Sequence, residues 1–230
     1  MFKREIKSFV RRQRKLTAHQ ENALQAAFPT FGVEIIPNQP LNLNKIFNRD
    51  AKKILEIGFG LGDTILSMAQ QNPDCDYLGI EVHEPGVATV MQGIIENNLT
   101  NIRVIQNDAV KIIRENISDN SFSRIHLFFP DPWPKKRHHK RRIIQADFVE
   151  ILRNKLIDGG IFHFATDWED YANHMMSVLS ENKGLKNCIG ENQFADNTEL
   201  QLRNNTKFEK RGIKLGHCVW DLLFQKNHLK

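Results

Sequence analysis

The stretch LEIGFGLGD, Leu55 to Asp63, decides the fold. A short apolar run breaks into Gly58, Gly60 and Gly62 and passes at once into DTILSMAQQ, Asp63 to Gln71, which has helical spacing. Glycines at the end of a strand let the backbone turn tightly and let a ligand approach the carboxyl edge of a sheet. Downstream the alternation continues. CDYLGIEV, NIRVIQND, SRIHLFFP and GGIFHFATD are strand-length runs, separated by PGVATVMQGIIENN, by AVKIIRENI and by a helical stretch from about Arg142 to Leu156. Another helical stretch runs from about Trp168 to Asn182. Such alternation gives βαβ units, a mostly parallel sheet and helices on both faces. After Gly184 the rhythm changes, and LKNCIG and GHCVWDLLFQ suggest two late strands in an antiparallel hairpin at one sheet edge.

Residues 1–50 read differently. They are rich in cations at first, and Pro29, Pro37 and Pro40 then argue against a long helix, so this part is taken as a basic arm before a domain of residues 51–230. The chain carries 32 Lys and Arg against 27 Asp and Glu, and the excess is concentrated at Lys3 to Lys15 and Lys135 to Arg142. Local basic clusters of this kind attract phosphate. Cys75, Cys188 and Cys218 are odd in number and widely spaced, which supports neither a disulfide framework nor a zinc site. The opening cations have no apolar region behind them, and no run is long enough to cross a membrane. A cytoplasmic protein without membrane or metal partners is the expectation.

The glycine spacing is GxGxG; a dinucleotide fingerprint would require glycine at Asp63. Glu56, two residues before Gly58, would meet a cationic amino acid moiety and would repel a pyrophosphate. Glu81 ends the next strand, about 20 residues beyond the turn, where a carboxylate accepts hydrogen bonds from ribose hydroxyls. Asp108 follows the third strand and is placed to reach an adenine amino group. Acids after three successive strands, beside a glycine turn, suit S-adenosylmethionine, a nucleoside joined to a cationic amino acid. Each acid alone also reads as a turn residue or a helix cap. The arrangement resembles the Rossmann-like class I methyltransferase fold, whose seven-stranded sheet matches the expected pattern.

The fourth strand runs into FFPDPWPKKRHHKRR, Phe128 to Arg142. Asp131 lies between two prolines, Trp133 offers a flat face for a base, and six Lys or Arg with His138 and His139 follow within eight residues. Across this stretch the sequence is similar to the tRNA (guanine-N7)-methyltransferase family. The similarity extends through LEIGFGLGD, GIEVHEPGV, NDA, FATDWEDY and TKFEKRG, and SFVRRQRKLT near the amino terminus also resembles the family, with Arg14 where glycine is usual. The resemblance implies methyl transfer from S-adenosylmethionine to N7 of guanine, at nucleotide 46 of the variable loop. It implies that Glu56, Glu81, Asp108 and Asp131 hold the donor, with Asp131 the catalytic candidate. Lys135, Asp167, Thr206, Lys207, Phe208 and Glu209 would contact the substrate. Arg137, His138, His139, Lys140, Arg141 and Arg142 would line the RNA. Family members occur as monomers and homodimers, and both states stay open.

Thr166 to Glu169 also fits a helix capping box. Two rivals remain at this stage. One is a methyltransferase acting on an exocyclic amino group of adenine or cytosine, although the order Asp131, Pro132, Trp133, Pro134 departs from its usual motif. The other is an RNA-binding partner subunit with a degenerate donor site. A nicotinamide dehydrogenase is disfavoured by the glycine spacing.

Overall fold

The computed structural model describes residues 6–10, 15–200, 203, 209 and 218–227. Its strands are β1 (Lys52–Ile57), β2 (Cys75–Glu81), β3 (Ile102–Gln106), β4 (Phe122–Phe128), β5 (Leu156–Thr166), β6 (Leu185–Asn187) and β7 (Trp220–Lys226). They form one seven-stranded sheet in the order β3-β2-β1-β4-β5-β7-β6. The first five are parallel, and β7 runs antiparallel to both β5 and β6. The late pair expected from the sequence is present. Its connection is long, and β7 inserts between β5 and the short edge strand β6.

Between these strands lie α3 (Asp63–Gln71), α4 (Glu84–Glu96), α5 (Ala109–Glu115), α6 (Ala146–Lys155) and α7 (Glu169–Glu181), with a short α8 (Asn197–Leu200) before β7. Helices on both faces bury the central strands, which explains their near-continuous apolar runs. In β1 every residue from Lys53 to Ile57 is buried. Alternate side chains feed opposite layers: Leu55, Leu78 and Ile105 join one apolar cluster, and Ile54, Tyr77 and Val104 join the other.

The amino-terminal region departs from the expected irregularity. Helix α1 (Ala18–Phe31) is capped by a reciprocal Thr17–Gln20 box, and α2 (Leu43–Phe47) follows. Helix α1 packs on α4, with Ala23 and Ala27 buried, and Gln20 Nε2 donates to Thr89 Oγ1 at 3.2 Å. Its fully buried residues are the two alanines, with Leu24, Phe28 and Phe31 half-buried beside them against the core. Pro29 falls in the last turn, where a missing hydrogen bond costs little of the helix. Past Phe31 the Val33 N–H donates to Val104 O at 2.8 Å, covering part of the edge of β3.

The chain winds outward from β1 to β3 and then returns to β4 on the other side of β1. That reversal opens a crevice beyond the carboxyl ends of β1 and β4. Helix α4 lies tightly against one wall, because a Cβ on Gly86 would sit 2.1 Å from the carbonyl oxygen of Gly60. Gly86→Ala is expected to lower the unfolding free energy by about 1–3 kcal/mol in urea titration. An unchanged midpoint would show that helix and turn are not locked together.

Candidate active site

In the glycine turn Gly58 and Gly60 have φ of +68° and +57°, a region that other residues rarely adopt. A Cβ at either would meet nothing within 4 Å, so these positions face open space. The Gly60 N–H donates to Glu81 Oε2 at 2.9 Å, while the Val82 and His83 N–H groups donate to Oε1 at 2.6 and 2.8 Å. Three backbone donors therefore fix one carboxylate. Asp108 caps α5 by accepting from the Val110 N–H at 3.1 Å, and its other oxygen takes Lys7 Nζ at 2.8 Å.

Asp131 lies beyond β4 on a turn in which Phe129 and Trp133 both have left-handed backbone, with φ of +51° and +47°. Such conformations in non-glycine residues carry strain that the surroundings must hold. Gly58, Glu81, Asp108 and Asp131 line one cavity of about 310 Å³ at the carboxyl edge of the sheet. Glu56 is buried two residues before Gly58, and its Oε2 has no hydrogen-bond partner. Burial pushes its pKa up to about 8, against a weaker opposing pull from Arg203. Three of the four acids expected from the sequence, Glu81, Asp108 and Asp131, thus line one cavity, while Glu56 is buried and is not among its lining residues.

One wall of that cavity was not foreseen. Ser8, Phe9 and Val10 line it. Trp133 Nε1 donates to Ser8 O at 3.1 Å, and Arg141 donates to Lys7 O at 2.9 Å and to Phe9 O at 3.3 Å. The Arg141 guanidinium lies 3.8 Å from the centre of the Trp133 ring. Cation and indole thus hold the amino-terminal segment, and the Trp133 face expected to receive a base carries Arg141. The segment's likeness to the family was visible in SFVRRQRKLT, but nothing in its spacing shows that it closes the cavity.

The basic strip divides. Residues Lys136–Arg141 form a 3-10 turn, and Lys135, Lys136, Arg137 and Lys140 are exposed. Desolvation, followed by the neighbouring Arg137 and Arg141 charges, lowers the His138 pKa. Arg142 is only 2 % exposed, donates to Pro132 O at 2.9 Å and pairs with Asp170. The structure therefore places Arg142 inside the loop as a brace between Pro132 and Asp170, and not on the exposed face of the strip.

Asp167 is exposed just past β5. The capping box expected over Thr166 to Glu169 does not form: Trp168 is the N-cap and makes no side-chain cap. Instead Thr166 Oγ1 accepts from the Trp168 N–H at 3.2 Å, a turn that positions the following residue. Thr206, Lys207 and Phe208 lie outside the described residues. Glu209 is buried against Arg203, whose side chain also forks onto Asp221 with two contacts of 3.0 Å. Asp221 in turn meets His163 Nε2 at 2.7 Å. Burial alone would raise the Asp221 pKa, but His163 and Arg203 reverse that and keep it ionised. Arg203 had no motif or spacing to mark it.

This strand order, with acids gathered at the switch point, defines a class I methyltransferase fold. Solved structures agree at the level of fold: an antibiotic-related methyltransferase has a TM-score of 0.56 at 19 % identity, covering 81 % of this chain and 92 % of that one. The 16S rRNA methyltransferase KamB has a TM-score of 0.59 at 13 % identity, covering 80 % and 92 %. A family model described as putative methyltransferase matches residues 50–222. The tRNA (guanine-N(7)-)-methyltransferase of Hydrogenovibrio crunogenus is 48 % identical over 97 % of this chain and 92 % of its own length. The protein of the same name from Alcanivorax borkumensis is 49 % identical, again over 97 % and 92 %. The chain belongs to the tRNA (guanine-N7)-methyltransferase family.

Two expectations follow from this geometry. Between the ordinary carboxylate range and about pH 8 the unfolded chain releases a proton that folded Glu56 retains, so the group costs stability increasingly as pH rises. Glu56→Gln in the ligand-free protein should gain on wild type by roughly 1.4 kcal/mol per pH unit across that window, read by urea unfolding at several pH values. A pH-independent difference would contradict the buried neutral acid. Arg141→Ala should raise amide hydrogen exchange in residues 6–10 by about tenfold or more, as measured by mass spectrometry. Unchanged protection would show that the clamp does not hold the segment.

Proposed function

We propose that this protein transfers the methyl group of S-adenosylmethionine to N7 of a guanine in tRNA, at nucleotide 46 of the variable loop, in the cytoplasm. The observation that carries the reading is the convergence of Gly58, Glu81, Asp108 and Asp131 on one cavity at the switch point. The residues present fit a sulfonium nucleoside donor. The open glycine turn leaves room beside Glu81, and the unsatisfied Glu56 carboxyl is a buried acceptor suited to an ammonium group. Glu81 would take the ribose hydroxyls and Asp108 the adenine amino group, in competition with Lys7. When bound, the donor supplies an electrophilic methyl on a positively charged sulfur.

The protein's task is then placement. Guanine N7 carries an in-plane lone pair and no proton, so no base is needed to create the nucleophile. Alignment of two bound reactants lowers a barrier by roughly 7–11 kcal/mol. Positive charge moves onto the purine as the bond forms, and a carboxylate facing it stabilises that change. Asp131 stands at the cavity and takes this electrostatic and orienting role, with Asp167 and Glu209 as further acceptors for the guanine edge. Lys135, Lys136, Arg137 and Lys140 are exposed and free to meet RNA phosphates, which set register without reading sequence. The backbone anchoring of Glu81 favours a working donor site over a degenerate one.

The test is incorporation of labelled methyl into unmodified tRNA, followed by chemical cleavage at N7-methylguanine. Cleavage at one variable-loop guanine is expected; label on an exocyclic nitrogen would overturn the reading. Asp131→Ala should keep tRNA binding and lose about 100-fold or more in turnover. Turnover at the wild-type level would remove Asp131 from the mechanism.

A further inference from the structure

Arg203 has no assigned role, yet among the described residues it is the most heavily engaged cation in the site region. Its side chain is fully buried, and it forks onto Asp221 of β7 on one side and onto both oxygens of Glu209 on the other. Its guanidinium lies 5.3 and 5.2 Å from the centres of the Phe128 and Phe129 rings. Those rings sit where β4 turns towards Asp131, and Phe129 is the first left-handed residue of that turn. The Phe129 N–H donates to Ala165 O at 2.8 Å, so the turn is also tied to the end of β5.

We propose that Arg203 is the positioning residue that holds the substrate-side Glu209 in register with the donor-side turn carrying Asp131. A planar cation with donors along both edges can hold two carboxylates and lie against two aromatic rings at once. A lysine offers one tetrahedral ammonium and cannot. His163 supports the arrangement from beneath: its Nε2 donates to Asp221, and its ring stands edge-on to Phe128 at 4.8 Å. The parts joined by Arg203 are Glu209 and Asp221, 6 and 18 residues further along the chain, and the end of β4, which is remote from all three in sequence. Without the fork, Glu209 and Asp131 would each keep their chemistry and lose their common frame.

The inference rests on the methyl-transfer reading, and wild-type activity on tRNA separates the two. A wild-type protein that forms no N7-methylguanine would sink that reading. A defect confined to Arg203 variants speaks to this one. Arg203→Lys keeps the charge and removes the fork. It is expected to lower kcat by about 100-fold, with the KM for tRNA and the donor Kd from calorimetry each within about threefold of wild type. Guanidinium ion at millimolar concentration is expected to restore part of the activity of Arg203→Ala, whereas methylammonium should not. The proposal is overturned if Arg203→Lys turns over within about threefold of wild type, or if its loss falls on donor affinity instead of kcat. Should both variants unfold, Glu209→Gln decides. The fork then predicts a comparable kcat loss at unchanged donor affinity, and wild-type turnover in that variant would refute it.

Discussion

The hydrogen bond from the Gly60 N–H to Glu81 holds the rest of the site in place. It ties the turn after β1 to the end of β2, and it is possible only because the turn follows a left-handed path that glycine permits. The same carboxylate gathers the Val82 and His83 N–H groups, so a charge at the sheet edge becomes an anchored acceptor rather than a mobile one. Helix α4 fits against this turn so closely that no side chain can stand at Gly86. From that fixed corner the crevice runs across to β4, where the sheet reverses direction.

Carboxyl groups collected at one edge repel one another, and the molecule handles each differently. Glu81 is held by backbone donors, Asp108 by the start of α5 and by Lys7, and Glu56 by burial that keeps it protonated near neutral pH. Under the proposed reading a cationic donor would meet acceptors whose positions are already set, which reduces the cost of ordering them. Arg203, in turn, holds both Glu209 and Asp221. The strip after Asp131 works in two directions. Its outer cations face solvent, while Arg141 and Arg142 turn inward to fasten the amino-terminal segment and the loop itself.

The parallel sheet was legible because strands buried on both faces are written as short apolar runs, and Glu81, Asp108 and Asp131 stood out because they lie at or just past the ends of such runs. Helix α1 was obscured because Pro29 pointed the other way, although Ala23, Leu24, Ala27, Phe28 and Phe31 recur at helical spacing on its inner face. Its Thr17–Gln20 cap was a further signal. The inward contacts of Trp133, Arg141 and Arg142 were not legible for a different reason. A cation or indole looks the same in sequence whether it faces RNA or a carbonyl oxygen of its own chain. Arg203 escaped notice because its partners, Glu209, Asp221 and the Phe128–Phe129 pair, meet only after the sheet has assembled.

The central claim is that a sulfonium nucleoside lies over the glycine turn with its methyl towards the Asp131 turn. A crystal structure of the protein with S-adenosylmethionine tests it most directly. The account predicts the ribose hydroxyls on Glu81, the amino acid end towards Glu56 and the methyl group facing the Asp131 turn. Density for the donor elsewhere, or a methyl turned away from that turn, would contradict it.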